Sequence, residues 1–201
     1  MKITESQLRR LVRESIEYDE DDDLFDFGEI PDWMSEIPQT LMTTVSSKPI
    51  AGISDASEKN KSDLKPKGLW YAPGKDWIGW MSTAMPKWLD EVNYVYALKP
   101  AYASGGLESQ GGVLQIRTER ELRAFNNKFR FESGVGGFGF RIRWDDVADR
   151  WDGVEIVPHH QRARRDMNMI WYSSWDIASG CIWRPRGATA LKLITSKPGV
   201  R

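Results

Sequence analysis

The chain has 201 residues, 40% hydrophobic and 28% charged, which gives room for one ordinary domain and excludes a wholly disordered protein. The formal net charge is −1, yet residues 1–64 carry −8 and residues 65–201 carry +7, so an acidic leader precedes a mildly basic body. No apolar run approaches the roughly 20 residues that span a bilayer, the start lacks the apolar core of a secretory signal, and the single cysteine, Cys181, allows no internal disulfide and points to a reducing, intracellular setting.

In the leader, Thr4-Glu5-Ser6-Gln7 reads as a capping box with Ile3 and Leu8 at the flanking staple positions. Leu8, Leu11, Val12 and Ile16 recur at helical spacing. This predicts a short amphipathic helix over residues 1–16, marginal alone in water and therefore built to dock on something. The acidic run Glu17 to Asp23 repels itself and favours an extended chain, so residues 17–40 read as a linker in which Phe25, Phe27, Trp33 and Met34 offer weak contacts. Residues 41–201 form the body.

The stretch Met1 to Glu14 resembles the leaders on many proteins of large tailed phages, which target internal proteins into the prohead. The resemblance implies packaging and cleavage after a glutamate with an aliphatic residue two positions back. Ile3-Thr4-Glu5 fits that pattern and Val12-Arg13-Glu14 fits it loosely. The other reading of the same helix is that it packs on its own body.

In the body, the β-branched run Thr43 to Ile50 predicts a first strand, residues 54–67 a loop, and Gly68-Leu69-Trp70-Tyr71-Ala72 a second strand closed by Pro73-Gly74. Trp77, Trp80, Met81, Ala84, Met85 and Trp88 mark a helix whose tryptophan stripe belongs to the core, with Pro86 breaking it near Met85. Tyr94 to Leu98 and Val113 to Ile116 read as strands, and Thr118 to Glu121 as a second capping box opening a helix with Leu122, Phe125 and Phe129 on one face. Gly134, Gly136, Gly137 and Gly139 predict a loop without the order of a nucleotide fingerprint. Asp145 is a plausible N-cap for a helix to Trp151, and Gly153 a plausible stop. Val154 to Val157, Ile170 to Trp175, Gly180 to Trp183 and Ala190 to Ile194 supply further strand material. The sum is an α+β domain with a mixed, largely antiparallel sheet of short strands and three or four short helices.

Glu155 is the carboxylate of most interest, because a glutamate on a central strand needs solvent or a partner. His159 and His160 are adjacent and diverge, so no metal centre is expected. The run His159 to Arg165 offers Arg162, Arg164 and Arg165 as phosphate forks or as a solvated surface. Trp175 to Trp183 contains Asp176 and Ser179, which either carry chemistry or close a turn between strands.

Lys65 to Ala72, the tryptophan-rich helix after it, Trp151-Asp152-Gly153-Val154-Glu155-Ile156, Trp171-Tyr172 and Trp175 to Trp183 resemble an uncharacterised phage and bacterial family similar in layout to ADP-ribosyltransferases. Gly68 to Ala72 matches the second strand of those folds. Thr44-Val45-Ser46-Ser47-Lys48 stands where their first strand would be, with no His or Arg at the expected place, and Ser46 is its candidate NAD contact. The resemblance implies NAD as substrate. It implies Glu155 or Asp176 as the late acid beside an oxocarbenium-like ribose, Trp70, Tyr71 or Trp80 against the nicotinamide, and an arginine on the pyrophosphate. The expected partners are a host protein target, in the host cytoplasm, or phage head proteins in the virion. A non-catalytic virion or host-interaction protein is the alternative, nucleic-acid binding a less favoured third, and a membrane partner is not expected.

Overall fold

The computed structural model describes residues 28–132 and 140–200; the leader helix, the linker up to residue 27 and the glycines of residues 134–139 lie outside the described residues. The chain is α+β. Seven strands form the main sheet: β1 (Met42–Ser46), β3 (Leu69–Pro73), β4 (Tyr94–Pro100), β5 (Val113–Ile116), β8 (Gly153–Ile156), β9 (Ser179–Ile182) and β10 (Ala188–Ser196), in the order β10-β4-β1-β3-β9-β8-β5. All neighbours are antiparallel except β5 and β8. A smaller sheet joins β2 (Ser62–Asp63), β7 (Phe140–Arg143) and β6 (Arg130–Glu132).

The main sheet curls. Tyr102, just beyond β4, pairs in parallel with Val113 at the opposite edge of the sheet. Val113 N donates to Ala101 O at 2.7 Å and Ala103 N to Val113 O at 2.9 Å. One edge therefore bends back toward the other and gives the sheet an inner and an outer face.

Strand alternation divides the residues between those faces. Outside, Leu114, Ile116, Val154, Ile156 and Cys181 pack with Leu122, Phe125 and Phe129 of α3 (Glu119–Phe129), with α4 (Trp144–Ala148), and with Trp171 and Trp175. Further along the same face, Val95 packs with Ile78 and Met81 of α1 (Asp76–Ala84), Leu89 of α2 (Pro86–Glu91), Met34 and Ile37. Tyr71, Leu98, Val113 and Ile182 meet inside.

Local sequence accounts for most boundaries. Thr118 Oγ1 accepts from Glu121 N, and the Glu121 carboxylate accepts from Thr118 N, so the capping box opens α3 as expected. Pro86, which has no amide hydrogen, starts α2 after Met85 leaves helical geometry at φ −143°. That break shifts the helical phase, and Trp88 stands 56% exposed instead of joining the core.

Three expectations are corrected. Residues 170–175 form no strand: Met167–Ser174 is a 3-10 segment. Asp166 caps it, and the Ser173 and Ser174 hydroxyls donate to carbonyls three residues back. Asp145 is not an N-cap, because α4 begins at Trp144 and Asp145 sits in its first turn. The end of the linker belongs to the body, since apolar burial holds it there: Met34 is fully buried and Ile37 nearly so. Among the described residues, no helix is long and apolar enough to cross a membrane.

Candidate functional site

Four residues stand in one row across the inner face. Gln115 on β5 is opposite Glu155 on β8, Glu155 is opposite Gly180 on β9, and Gly180 is opposite Tyr71 on β3. Glu155 is only 3% exposed. A carboxylate taken from water needs replacement donors, and the fold supplies three. Tyr71 Oη donates to Glu155 Oε2 at 2.9 Å, Tyr102 Oη donates to the same oxygen at 2.8 Å, and Gln115 Nε2 donates to Oε1 at 3.1 Å. Arg117 Nη2 in turn donates to Gln115 Oε1 at 2.6 Å, which fixes the amide with its nitrogen toward the acid.

Each donor reaches Glu155 for a topological reason. Tyr71 comes from two strands away and crosses above Gly180, which has no side chain to obstruct it. Tyr102 arrives through the parallel pairing that curls the sheet. Gln115 is the direct cross-strand neighbour. Burial and the adjacent Glu155 charge push the Tyr71 phenol well above its ordinary range, and the Tyr102 phenol is pushed up for the same two reasons. Both therefore stay protonated donors across the ordinary pH range. Tyr102 is 41% exposed, so the site meets solvent at that ring.

The sequence-derived candidates separate. Glu155 and Tyr71 are brought into contact, though Tyr71, fully buried, anchors the acid and offers no wall to a ligand. Trp70 does not share the inner face with Tyr71 and Glu155. As the next residue on a strand it faces outward, edge-on to Trp175 at 4.7 Å with Lys65 Nζ over its ring. Trp80 lies on α1, edge-on to Trp77 at 5.3 Å, in the outer cluster. Asp176 pairs with Lys65 at 3.4 Å and Arg164 at 3.0 Å on the outer side with Trp70. Arg164 also donates to Ser173 O, which ties it to that outer cluster, while Arg162 and Arg165 are exposed in and after α5 (Gln161–Arg164). Ser46 ends β1, with its hydroxyl donating to Lys48 O.

Tyr102, Gln115 and Arg117 are the residues that sequence reasoning missed. Gln115 and Arg117 carried a signal, being polar residues two apart at the end of an apolar strand. Tyr102 carried none, because its role depends on a non-local pairing. Among the described residues no group of three or more His, Cys, Asp or Glu side chains is placed to hold a metal ion. Comparison with family models, with curated proteins and with solved structures finds no match to this chain.

Proposed function

We propose that the inner face around Glu155 is the site of a phage-encoded ADP-ribosyltransferase-like protein that uses NAD to modify a host target. The observation that carries this reading is the Glu155 carboxylate, 3% exposed on a paired strand, with a tyrosine at the solvent boundary donating to it. Tyr71 and Gln115 hold the acid in one orientation, while the Tyr102 hydroxyl occupies a position that a ribose hydroxyl would take on binding. Oriented carboxylate charge stabilises a cationic, oxocarbenium-like ribose more in the transition state than in the ground state. The glycosidic C–N bond breaks with its electron pair passing to the nicotinamide, which leaves neutral. The acceptor nucleophile bonds to the ribose carbon, and its proton passes to Glu155.

Arg117, exposed and linked to Glu155 through Gln115 by two hydrogen bonds, supplies positive charge for the dinucleotide phosphates. Such a protein acts in the host cytoplasm, expressed after entry or carried in the virion with the DNA.

A second reading has its own support. Three donors saturate most of the acceptor capacity of Glu155, and Asp176 is paired with two cations. Both acids then belong to the framework of a non-catalytic virion or host-interaction protein. Transfer of labelled ADP-ribose to host lysate separates the two. Labelling that is lost in Glu155→Gln with the fold intact supports the transferase. No labelling and no NAD hydrolysis by the folded wild-type protein supports the non-catalytic module.

A further inference from the structure

The 3-10 turn Asp32–Met34 and the edge strand β10 enclose a cleft of about 370 Å³. Its apolar lining is Trp33, Ile37 and Ile194, and its rim carries the exposed acids Asp32 and Glu36. We propose that this cleft binds the amphipathic leader of the same chain, residues 3–16, in an intramolecular contact, a proposal independent of any reading of Glu155.

Three observations converge on that occupant. The first is where the chain enters. The described residues begin at Gly28, whose amide donates to Thr83 Oγ1 near the end of α1, and Ile30 and Trp33 pack on the same cluster as Trp77, Trp80 and Ile194. The leader thus joins the body on the cleft's own side. Residues 17–27 reach up to about 35 Å when extended, ample for a return to a cleft that begins a few residues downstream.

The second is charge. The segment 1–16 carries Lys2, Arg9, Arg10 and Arg13 against Glu5 and Glu14, whereas the rim is acidic. The acidic run after residue 16 would be repelled by Asp32 and Glu36, so of the two parts of the leader only the helix suits this rim.

The third is pattern. Leu8, Leu11, Val12 and Ile16 recur in the sequence at the i, i+3, i+4, i+8 spacing that anchors a helix laid in an apolar groove. The cleft is small enough to take a few aliphatic side chains and no more. Among the described residues the edge strand beside it pairs only with β4, so a helix packed there would also cover part of that sheet edge.

The test uses the full chain with one spin label. Cys181 is fully buried and its thiol is pushed up by burial, so it resists labelling and a thiol introduced by Ser6→Cys is the reactive one. Amide signals of residues 32–37 and 194–195 should broaden strongly, while those of α3 should not. Leu8→Asp with Val12→Asp, substitutions that leave the body untouched, should abolish the broadening. Asp32→Lys with Glu36→Lys should weaken it, and adding Arg9→Glu with Arg13→Glu should restore it.

Absence of broadening at the cleft, or broadening that survives Leu8→Asp with Val12→Asp, overturns the proposal. A mixture of spin-labelled unenriched protein with isotope-enriched unlabelled protein reports contact between copies. Equal broadening in that mixture assigns the cleft to a second copy and also overturns the intramolecular contact.

Discussion

The phenol ring of Tyr71 lies across the backbone of Gly180, and its hydroxyl meets Glu155 Oε2 at 2.9 Å from two strands away. A Cβ on Gly180 would stand 2.3 Å from Tyr71 Cζ and 2.5 Å from the hydroxyl oxygen. The ring is fully buried and cannot swing aside. Gly180→Ala is therefore expected to destabilise the protein by about 1–3 kcal/mol, the range for overpacking a close-packed interior. Denaturant titration checks this, and an unchanged midpoint would mean that the ring does not lie over the glycine.

Tyr71 and Tyr102 donate to the same oxygen from different surroundings. Tyr71→Phe removes a donor where water has no access, so the cost is expected at about 1–3 kcal/mol. Tyr102 is 41% exposed, so water replaces its hydroxyl and Tyr102→Phe should cost under about 1 kcal/mol. Combining each with Glu155→Gln in a double-mutant cycle should give the larger coupling for Tyr71.

Protonation should limit stability at both ends of the pH scale. Burial lowers His159 and His160 below the ordinary value of 6.5. The unfolded chain then binds more protons in acid, so their contribution is present above pH 6.5 and is lost as pH falls through the folded values. Burial and the Glu155 charge raise Tyr71 above its ordinary value of 10.0. Its contribution is full below pH 10.0 and is lost as pH rises beyond that value toward the folded one. Imidazole resonances that titrate below pH 6.5, with a Tyr71 phenol that stays protonated until the protein unfolds, are the expected results.

Tryptophans of similar sequence setting should differ sharply in weight. Trp88 is 56% exposed after the break at Pro86, and Trp151 is fully buried with its ring edge-on to Phe129. Trp88→Ala should change stability by less than about 0.5 kcal/mol, whereas Trp151→Ala should cost about 3–5 kcal/mol. Thermal or denaturant unfolding reads both.

What the sequence makes legible here is local. The capping box at Thr118, the break at Pro86 and the strands holding Tyr71 and Glu155 follow from spacing and from missing or present hydrogen-bond groups. The pairing of Tyr102 with Val113 has no local signature, yet it curls the sheet and brings the second tyrosine to Glu155. Trp70 and Tyr71 look equivalent as neighbouring aromatics, and strand alternation sends them to opposite faces. Asp176 reads in the sequence as a late acid or a turn residue, and its pairing with Lys65 and Arg164 shows only in the fold.

Nicotinamide release from NAD by the purified chain tests the Glu155 assignment most directly, with chromatography as the readout. The account predicts release by the wild type, loss of release in Glu155→Gln that retains its near-ultraviolet dichroism, and an altered KM for NAD in Tyr102→Phe. A folded wild type that neither binds nor cleaves NAD, or a Glu155→Gln protein as active as its parent, would contradict it.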